Sequence, residues 1–408
     1  MKSILVTGLD IGSTCTRAVI GECVRDFHRP EVRVLGVAST PTDGVRRDQV
    51  TDLEAATDTV RRALQEAELM AGMRIDRVYV GVSGEHVDSN RSVGVVAVAA
   101  REIAPSDVKR VHAVARAVPV VRDRELLHAI PQHYVVDNQG GIKDPVGMSG
   151  TRLETELYLV TGCSAVVGNI VRAVEKAAYR VQDAVLEPIA TSRAVLAEDE
   201  RELGVAMLDM GGATTGLSIH YEGRIRHLEV LPFGGNAITS DLIRGLSVPF
   251  AEARRIKELY GAAHARVVDP NEVVRIPRTN GNRREVTRGT VAELIEERLQ
   301  NMFRRIDRRI QDILPQGSLG AGVVITGGVA VTPGILAVAK RTLQAPVRIG
   351  VPGDGLSGLM DAVTGPGFAT AAGLALHGAD YFMDTGGGVS TVASGMVTRM
   401  GAWLKEFF

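Results

Sequence analysis

Cysteine, tryptophan and net charge are all scarce in this chain. Its 408 residues include three cysteines and one tryptophan, and aromatic residues make up only 4%. Cys15, Cys23 and Cys163 form no metal-like spacing, so buried free thiols in a reducing compartment are expected. A formal net charge of −1 excludes the strong positive field that non-specific nucleic-acid binding needs. No run reaches the ~18 apolar residues of a membrane span. The apolar opening MKSILVTGLDIG is too short for a signal peptide and is interrupted at Asp10. The expectation is a cytoplasmic globular body with more than one core, since 408 residues exceed what a single core organises.

What the chain does have is a repeat. LDIGSTCTRAVIG starts at Leu9 and LDMGGATTGLSIH starts at Leu208. The two align Asp10 with Asp209, Gly12 with Gly211 and Thr16 with Thr215. Each is preceded and followed by alternating apolar residues, which predicts a strand, a tight glycine-rich turn and a second strand. Glycines let backbone N–H groups approach an anion, and the Ser and Thr hydroxyls add donors. An aspartate at the strand end would repel phosphate unless it holds magnesium, directly or through water. One such turn is an ordinary hairpin. Two in corresponding places predict a clamp on a polyphosphate.

Two further glycine pairs reinforce the pattern. VVITGGVAVTPGILAVAKRTL predicts a buried strand, a turn at Gly327 and Gly328, and a helix starting near Pro333. LPFGGNAITSDLIRGL places Gly234 and Gly235 before another helix, with Asn236 or Thr239 as its cap. Neither fits the dinucleotide-fold or Walker A spacing.

These motifs, in this order, resemble the actin, Hsp70 and sugar-kinase superfamily, in which two related α/β domains close on ATP and a divalent metal. Within it the chain resembles the FtsA family of bacterial cell-division proteins. The segment HAIPQHYVVDNQGGIKDPVGMSGTRLETELYLVTG carries that resemblance most specifically, and VYVGVSGEHVDSNRSVGVVAVAAREIAPSDV supports it. The resemblance implies an actin/Hsp70-like two-domain ATPase fold with an inserted subdomain 1C. The implied divisions are domain 1A at 1–84, 162–197 and 366–378, and subdomain 1C at 85–161. Domain 2A is expected at 198–244 and 316–365, and subdomain 2B at 245–315. A flexible linker at 379–395 and an amphipathic helix at 396–408 complete the chain.

The resemblance also implies roles. Asp10 and Asp209 would sit beside a magnesium ion, and Glu187 would orient an attacking water. Glu187 also suits a helix N-terminus as a plain dipole partner. Gly12, Ser13, Thr14, Gly211, Gly212, Thr214 and Thr215 would cradle phosphates. Gly234, Gly235, Asn236, Lys257, Gly327 and Gly328 would line the ribose and adenine. Relatives often carry a lysine where Cys15 sits, a glycine at Ala213, an aspartate at Gly216 and a third glycine at Val329. ATP binding with at most weak hydrolysis is therefore expected. Apolar Val291, Leu294, Ile295, Leu299, Met302, Ile306, Ile310 and Ile313 recur at helical spacing in the 2B region. There Arg288 and Arg298 would meet the C-terminal peptide of the tubulin homologue FtsZ.

The last residues, GMVTRMGAWLKEFF, are apolar for a chain end. As a helix, Met396, Val397, Met400, Trp403, Leu404, Phe407 and Phe408 fall within an arc of roughly 140°. Arg399 and Lys405 flank that stripe, where they could snorkel to headgroups. Thirteen residues reach only about 20 Å, too short to span a bilayer, so the helix would lie in the interface plane. The glycines at 386–388 suggest a tether. The implied protein self-associates into filaments on the inner face of the cell membrane at the division septum, anchors the FtsZ ring and recruits later division proteins. A small-molecule kinase, another actin-like scaffold such as the pilus-assembly protein PilM, and a nucleotide-independent structural role are the rival readings.

Overall fold

The repeat in sequence is a repeat of topology. The structure, a computed structural model, describes residues 3–24, 30–119, 121–277, 283–315 and 317–384. The chain begins with β1 (Ser3–Ile11), β2 (Cys15–Val24), β3 (Glu31–Pro41), β4 (Val45–Arg46), β5 (Gln49–Val50), α1 (Leu53–Ala71) and β6 (Arg77–Val82). An excursion follows: β7 (Asp88–Ala97), α2 (Pro105–Arg116), β8 (Arg124–Val136), β9 (Gln139–Ile142) and β10 (Arg152–Cys163). The chain then returns through α3 (Ser164–Lys176), β11 (Arg180–Leu186) and α4 (Glu187–Val195).

The second half runs α5 (Glu198–Leu203), β12 (Val205–Met210), β13 (Thr215–Tyr221), β14 (Arg224–Leu231), α6 (Gly235–Leu246) and α7 (Phe250–Tyr260). It continues with β15 (Val273–Pro277), β16 (Arg283–Thr287), α8 (Arg288–Ile313), β17 (Gly322–Thr326), α9 (Ile335–Leu343), β18 (Val347–Ile349), β19 (Leu356–Gly358) and α10 (Ala369–Asp384).

The first sheet has the order β11-β6-β1-β2-β3-β19 and the second the order β14-β13-β12-β17-β18. In each, a hairpin (β1/β2 or β12/β13) is antiparallel, and its first strand pairs in parallel with a later strand (β6 or β17). Strands β6 and β12 are buried along nearly their whole length, which explains why RVYVGV and VAMLDM read as apolar runs rather than alternations. The excursion forms its own antiparallel sheet, β7-β10-β8-β9. Helix α2 covers that sheet over a small core of Val98, Ile103, Val111, Tyr134, Val136, Ile142 and Leu153.

Local signals set the helices. Asp52 caps α1 by accepting from the Glu54 and Ala55 N–H groups at 3.0 and 3.1 Å, and Gly72 closes it at φ 65°. Thr287 caps α8, whose apolar stripe is buried at Val291, Ile295, Leu299, Met302, Ile306 and Ile310. Leu294 and Ile313 pack at its edge. Helix α9 starts at Ile335, two residues past Pro333 and after a 3-10 turn at Gly328–Val331. One expectation is corrected. Residues 379–384, expected to begin the linker, are the last turn and a half of α10, where Ala379 is fully buried and Asp380 pairs with Arg193. The rest of the expected linker and the expected helix at 396–408 lie outside the described residues.

The halves are joined by α4 and α10, which cross closely. A Cβ on Gly373 would meet the Ala190 carbonyl oxygen at 1.8 Å, and one on Gly8 would meet the Ala371 carbonyl oxygen at 2.0 Å. Only glycine allows both crossings.

In the excursion, buried His112 stacks on Tyr134, with its Nε2 2.8 Å from the Tyr134 hydroxyl. Burial lowers the His112 pKa from 6.5 to about 4. A histidine depressed on folding contributes stability that is present above its unfolded pKa and is lost as pH falls through the folded one. Between pH 6.5 and 4 the excursion is expected to lose on the order of 3 kcal/mol. Protection factors of β8 and β10 amides, corrected for the intrinsic pH dependence of exchange, should fall over that window, and unchanged protection would contradict it.

Candidate functional site

The two hairpin turns face each other across the junction of the halves. They enclose a cavity of about 70 Å3 whose wall includes Asp10, Gly12, Ser13 and Thr14 from the first turn and Asp209, Gly211, Gly212 and Thr214 from the second. Gly327, Gly328 and Glu187, also expected from sequence, line it too. The turns touch: a Cβ on Gly212 would lie 2.7 Å from the Thr14 methyl carbon.

Asp209 is held by both connecting helices. Its Oδ2 accepts from Thr191 Oγ1 of α4 at 2.9 Å and from Thr370 Oγ1 of α10 at 2.8 Å. Gly327, at φ 83°, leaves room for its other oxygen, since a Cβ there would meet Oδ1 at 2.4 Å. Burial raises the Asp209 pKa, and the two hydroxyl bonds oppose that rise. Glu187, the first residue of α4, lies against Gly81, where a Cβ would meet its Cγ at 2.9 Å. Burial, then the charges of Asp10, Asp48 and Asp209, push its pKa well above the ordinary carboxylate range, against a hydrogen bond with Ser83.

Asp10 is buried without a donor among the described residues. Burial, with Asp209 and Asp48 nearby, raises its pKa to about 7, while Arg17 pulls it down. Among the described residues no group of three or more His, Cys, Asp or Glu side chains forms a ready-made metal cage. A hard divalent cation held by one or two carboxylates and completed by water and phosphate oxygens does not need one. The buried, donor-less Asp10 carboxylate fits such an ion.

The comparisons decide the family. A family model for "Cell division protein FtsA" matches residues 206–373, and one for "SHS2 domain inserted in FTSA" matches 84–161, the excursion. The FtsA of Pseudomonas aeruginosa is 36% identical over 393 residues, covering 96% of this chain and 92% of the relative. That of Escherichia coli is 36% identical over 410 residues, covering 98% and 96%. The chain belongs to the FtsA family of cell-division proteins. Its fold is the actin-like one. A PilM-PilN type IV pilus biogenesis complex superposes with a TM-score of 0.66 at 18% identity, covering 92% of this chain and 99% of that one. MreB5 of Spiroplasma citri bound to ADP does so with a TM-score of 0.51 at 13% identity, covering 90% and 94%.

Within this FtsA-family fold, several assigned residues stand elsewhere than expected. Thr215, expected to touch phosphate, is fully buried on the opposite side of its strand and donates to the Phe233 carbonyl at 2.7 Å. Gly234, Gly235, Asn236 and Lys257 are not in the cavity wall. They brace the second turn from behind: the Gly235 N–H donates to Gly211 O at 2.9 Å and the Asn236 N–H to Gly212 O at 2.6 Å. Lys257 Nζ donates to Thr239 Oγ1 at 3.0 Å and to Gly235 O at 3.3 Å. No side chain caps α6; Gly234 occupies that position. Arg288 and Arg298, expected at a partner surface, are engaged internally with Glu272 and Asp241.

Among the wall residues that escaped the sequence reading are Arg17, Asp48, Ser83 and Thr370. Arg17 stands opposite Asp10 in the register of the hairpin and places a cation in the wall. Strand alternation from the DxG turn would have found it. Asp48 sits in GVRRDQV, with no local motif to mark it.

Thr370→Val removes one of two donors to a buried carboxylate. It is expected to cost about 2 kcal/mol, read as a lower urea midpoint, and an unchanged midpoint would contradict the role given to Thr370.

Proposed function

We propose that this FtsA-family chain binds magnesium-ATP between its two hairpins, hydrolyses it weakly, and assembles on a membrane to tether the FtsZ ring and recruit later division proteins. The observation that carries the first part is the pair of matching glycine turns facing each other over a buried cleft. Gly12, Gly211 and Gly212 bring backbone to the phosphates. The hydroxyls of Ser13, Thr14 and Thr214 donate to them, and Arg17 offsets their charge. Asp10 and Asp209 would hold a magnesium ion, which when bound would neutralise charge on the phosphates. Gly327 and Gly328 take the nucleoside side, with Gly234, Gly235, Asn236 and Lys257 reaching the ribose and adenine as the cleft widens.

Glu187, at the head of α4, would orient the attacking water. Glu187→Gln should lower turnover at least about tenfold, and unchanged turnover would remove Glu187 from that role. Isothermal titration with magnesium-ATP should show binding by wild type. No binding by the intact chain would end the nucleotide reading.

The membrane role rests on the sequence of 396–408. No helix among the described residues is long and apolar enough to cross a bilayer. An interfacial helix bearing Arg399, Lys405 and Glu406 is near neutral, so its hold comes from apolar burial and is multiplied by assembly. Deleting 396–408 should abolish co-sedimentation with liposomes, and retention would refute the anchor. The acidic FtsZ peptide is assigned to the α8 region, where it competes with Asp241 for Arg298 and with Glu272 for Arg288. Arg298→Glu should weaken that peptide's binding, and unchanged affinity would remove Arg298 from the interface.

A further inference from the structure

Asp48 is the one carboxylate in the cleft that comes from neither hairpin and neither connecting helix. It stands at the tip of the β4–β5 turn, where Arg47 and Asp48 both adopt left-handed backbone, φ 49° and 59°. Such primed turns favour glycine or asparagine, so this pair holds the geometry against its own preference. The turn drives the Asp48 side chain into the cleft, where only 9% of the residue stays exposed.

There it joins the two loops. Ser13 Oγ donates to Asp48 Oδ1 at 2.6 Å, and Thr214 Oγ1 donates to Asp48 Oδ2. The Asp48 backbone N–H donates back to Ser13 Oγ at 2.9 Å. One carboxylate thus takes a hydroxyl from each turn, and these are two of the three hydroxyls assigned above to phosphate. The cavity of about 70 Å3 is far below the ~300 Å3 at which small-molecule sites begin.

We infer that Asp48 stands in for the terminal phosphate of a nucleotide. It clamps the two turns together in the nucleotide-free chain and is expelled when a nucleoside polyphosphate enters. Carboxylate and phosphate are both oxyanions, so they cannot share the same two donors and they repel each other. Expelling Asp48 replaces one oxyanion bridge between the two turns by another, which couples occupancy to the spacing of the two halves. This inference rests on the nucleotide reading of the site.

The test uses the full chain, stripped of nucleotide with EDTA, as wild type, Asp48→Ala and Asp48→Asn. Magnesium-ATP affinity is measured by titration calorimetry. Amide exchange at 12–15 and 211–215 is measured without nucleotide. Asp48→Ala should bind about tenfold tighter, some 1.4 kcal/mol, and exchange faster in both turns. Asp48→Asn keeps the shape and loses the charge, so it should fall between and guards against a folding defect. Binding by wild type with no gain, or a loss, in both variants overturns the clamp and leaves the nucleotide reading standing. No binding by any of the three overturns both.

Discussion

Four carboxyl groups, Asp10, Asp48, Glu187 and Asp209, share one buried cleft. Burying a charge without a partner is costly, and each is answered differently. Asp209 takes two threonine hydroxyls, and Asp48 takes a serine and a threonine from opposite turns. Burial and neighbouring charge push the Glu187 pKa well above the ordinary carboxylate range, and Asp10 lies within the field of Arg17. The surrounding structure follows from this constraint. Gly81 and Gly327 make room for Glu187 and Asp209, and Gly373 lets α4 and α10 approach until their threonines meet the same oxygen. A cleft so arranged is incomplete by itself. It is stabilised by whatever brings positive charge and removes a repelling carboxylate.

The bonds from Thr191 and Thr370 tie chemistry to architecture. Both threonines sit on the helices that connect the halves, and both reach an aspartate on the second hairpin. A change in charge at Asp209 therefore bears directly on the joint about which the halves would move. On the proposed function, a small event between phosphates would reach that joint through Asp209.

How much was legible in the sequence depended on range. The hairpins were legible because Asp, Gly and Thr stand within seven residues of each other and recur. Helix α8 was legible because its apolar period is local. Thr215 was misassigned because it is already the first residue of β13 and its hydroxyl is taken by the Phe233 carbonyl, whereas Thr214 still belongs to the turn. Gly234, Gly235 and Asn236 lie beside the site in space, but their hydrogen bonds run to the back of the second turn. Asp48 was invisible because nothing near it in the chain marks it. Its partners are 35 and 166 residues away: the folding of the first half brings Ser13 to it, and the meeting of the two halves brings Thr214.

The central claim is that the two turns act as one clamp on a magnesium-bound polyphosphate. The direct measurement is amide exchange of the full chain across a magnesium-ATP titration, followed separately at 12–15 and 211–215. The account predicts that exchange changes at both turns together, with a single midpoint. A change confined to one turn, or two separated midpoints, would contradict it.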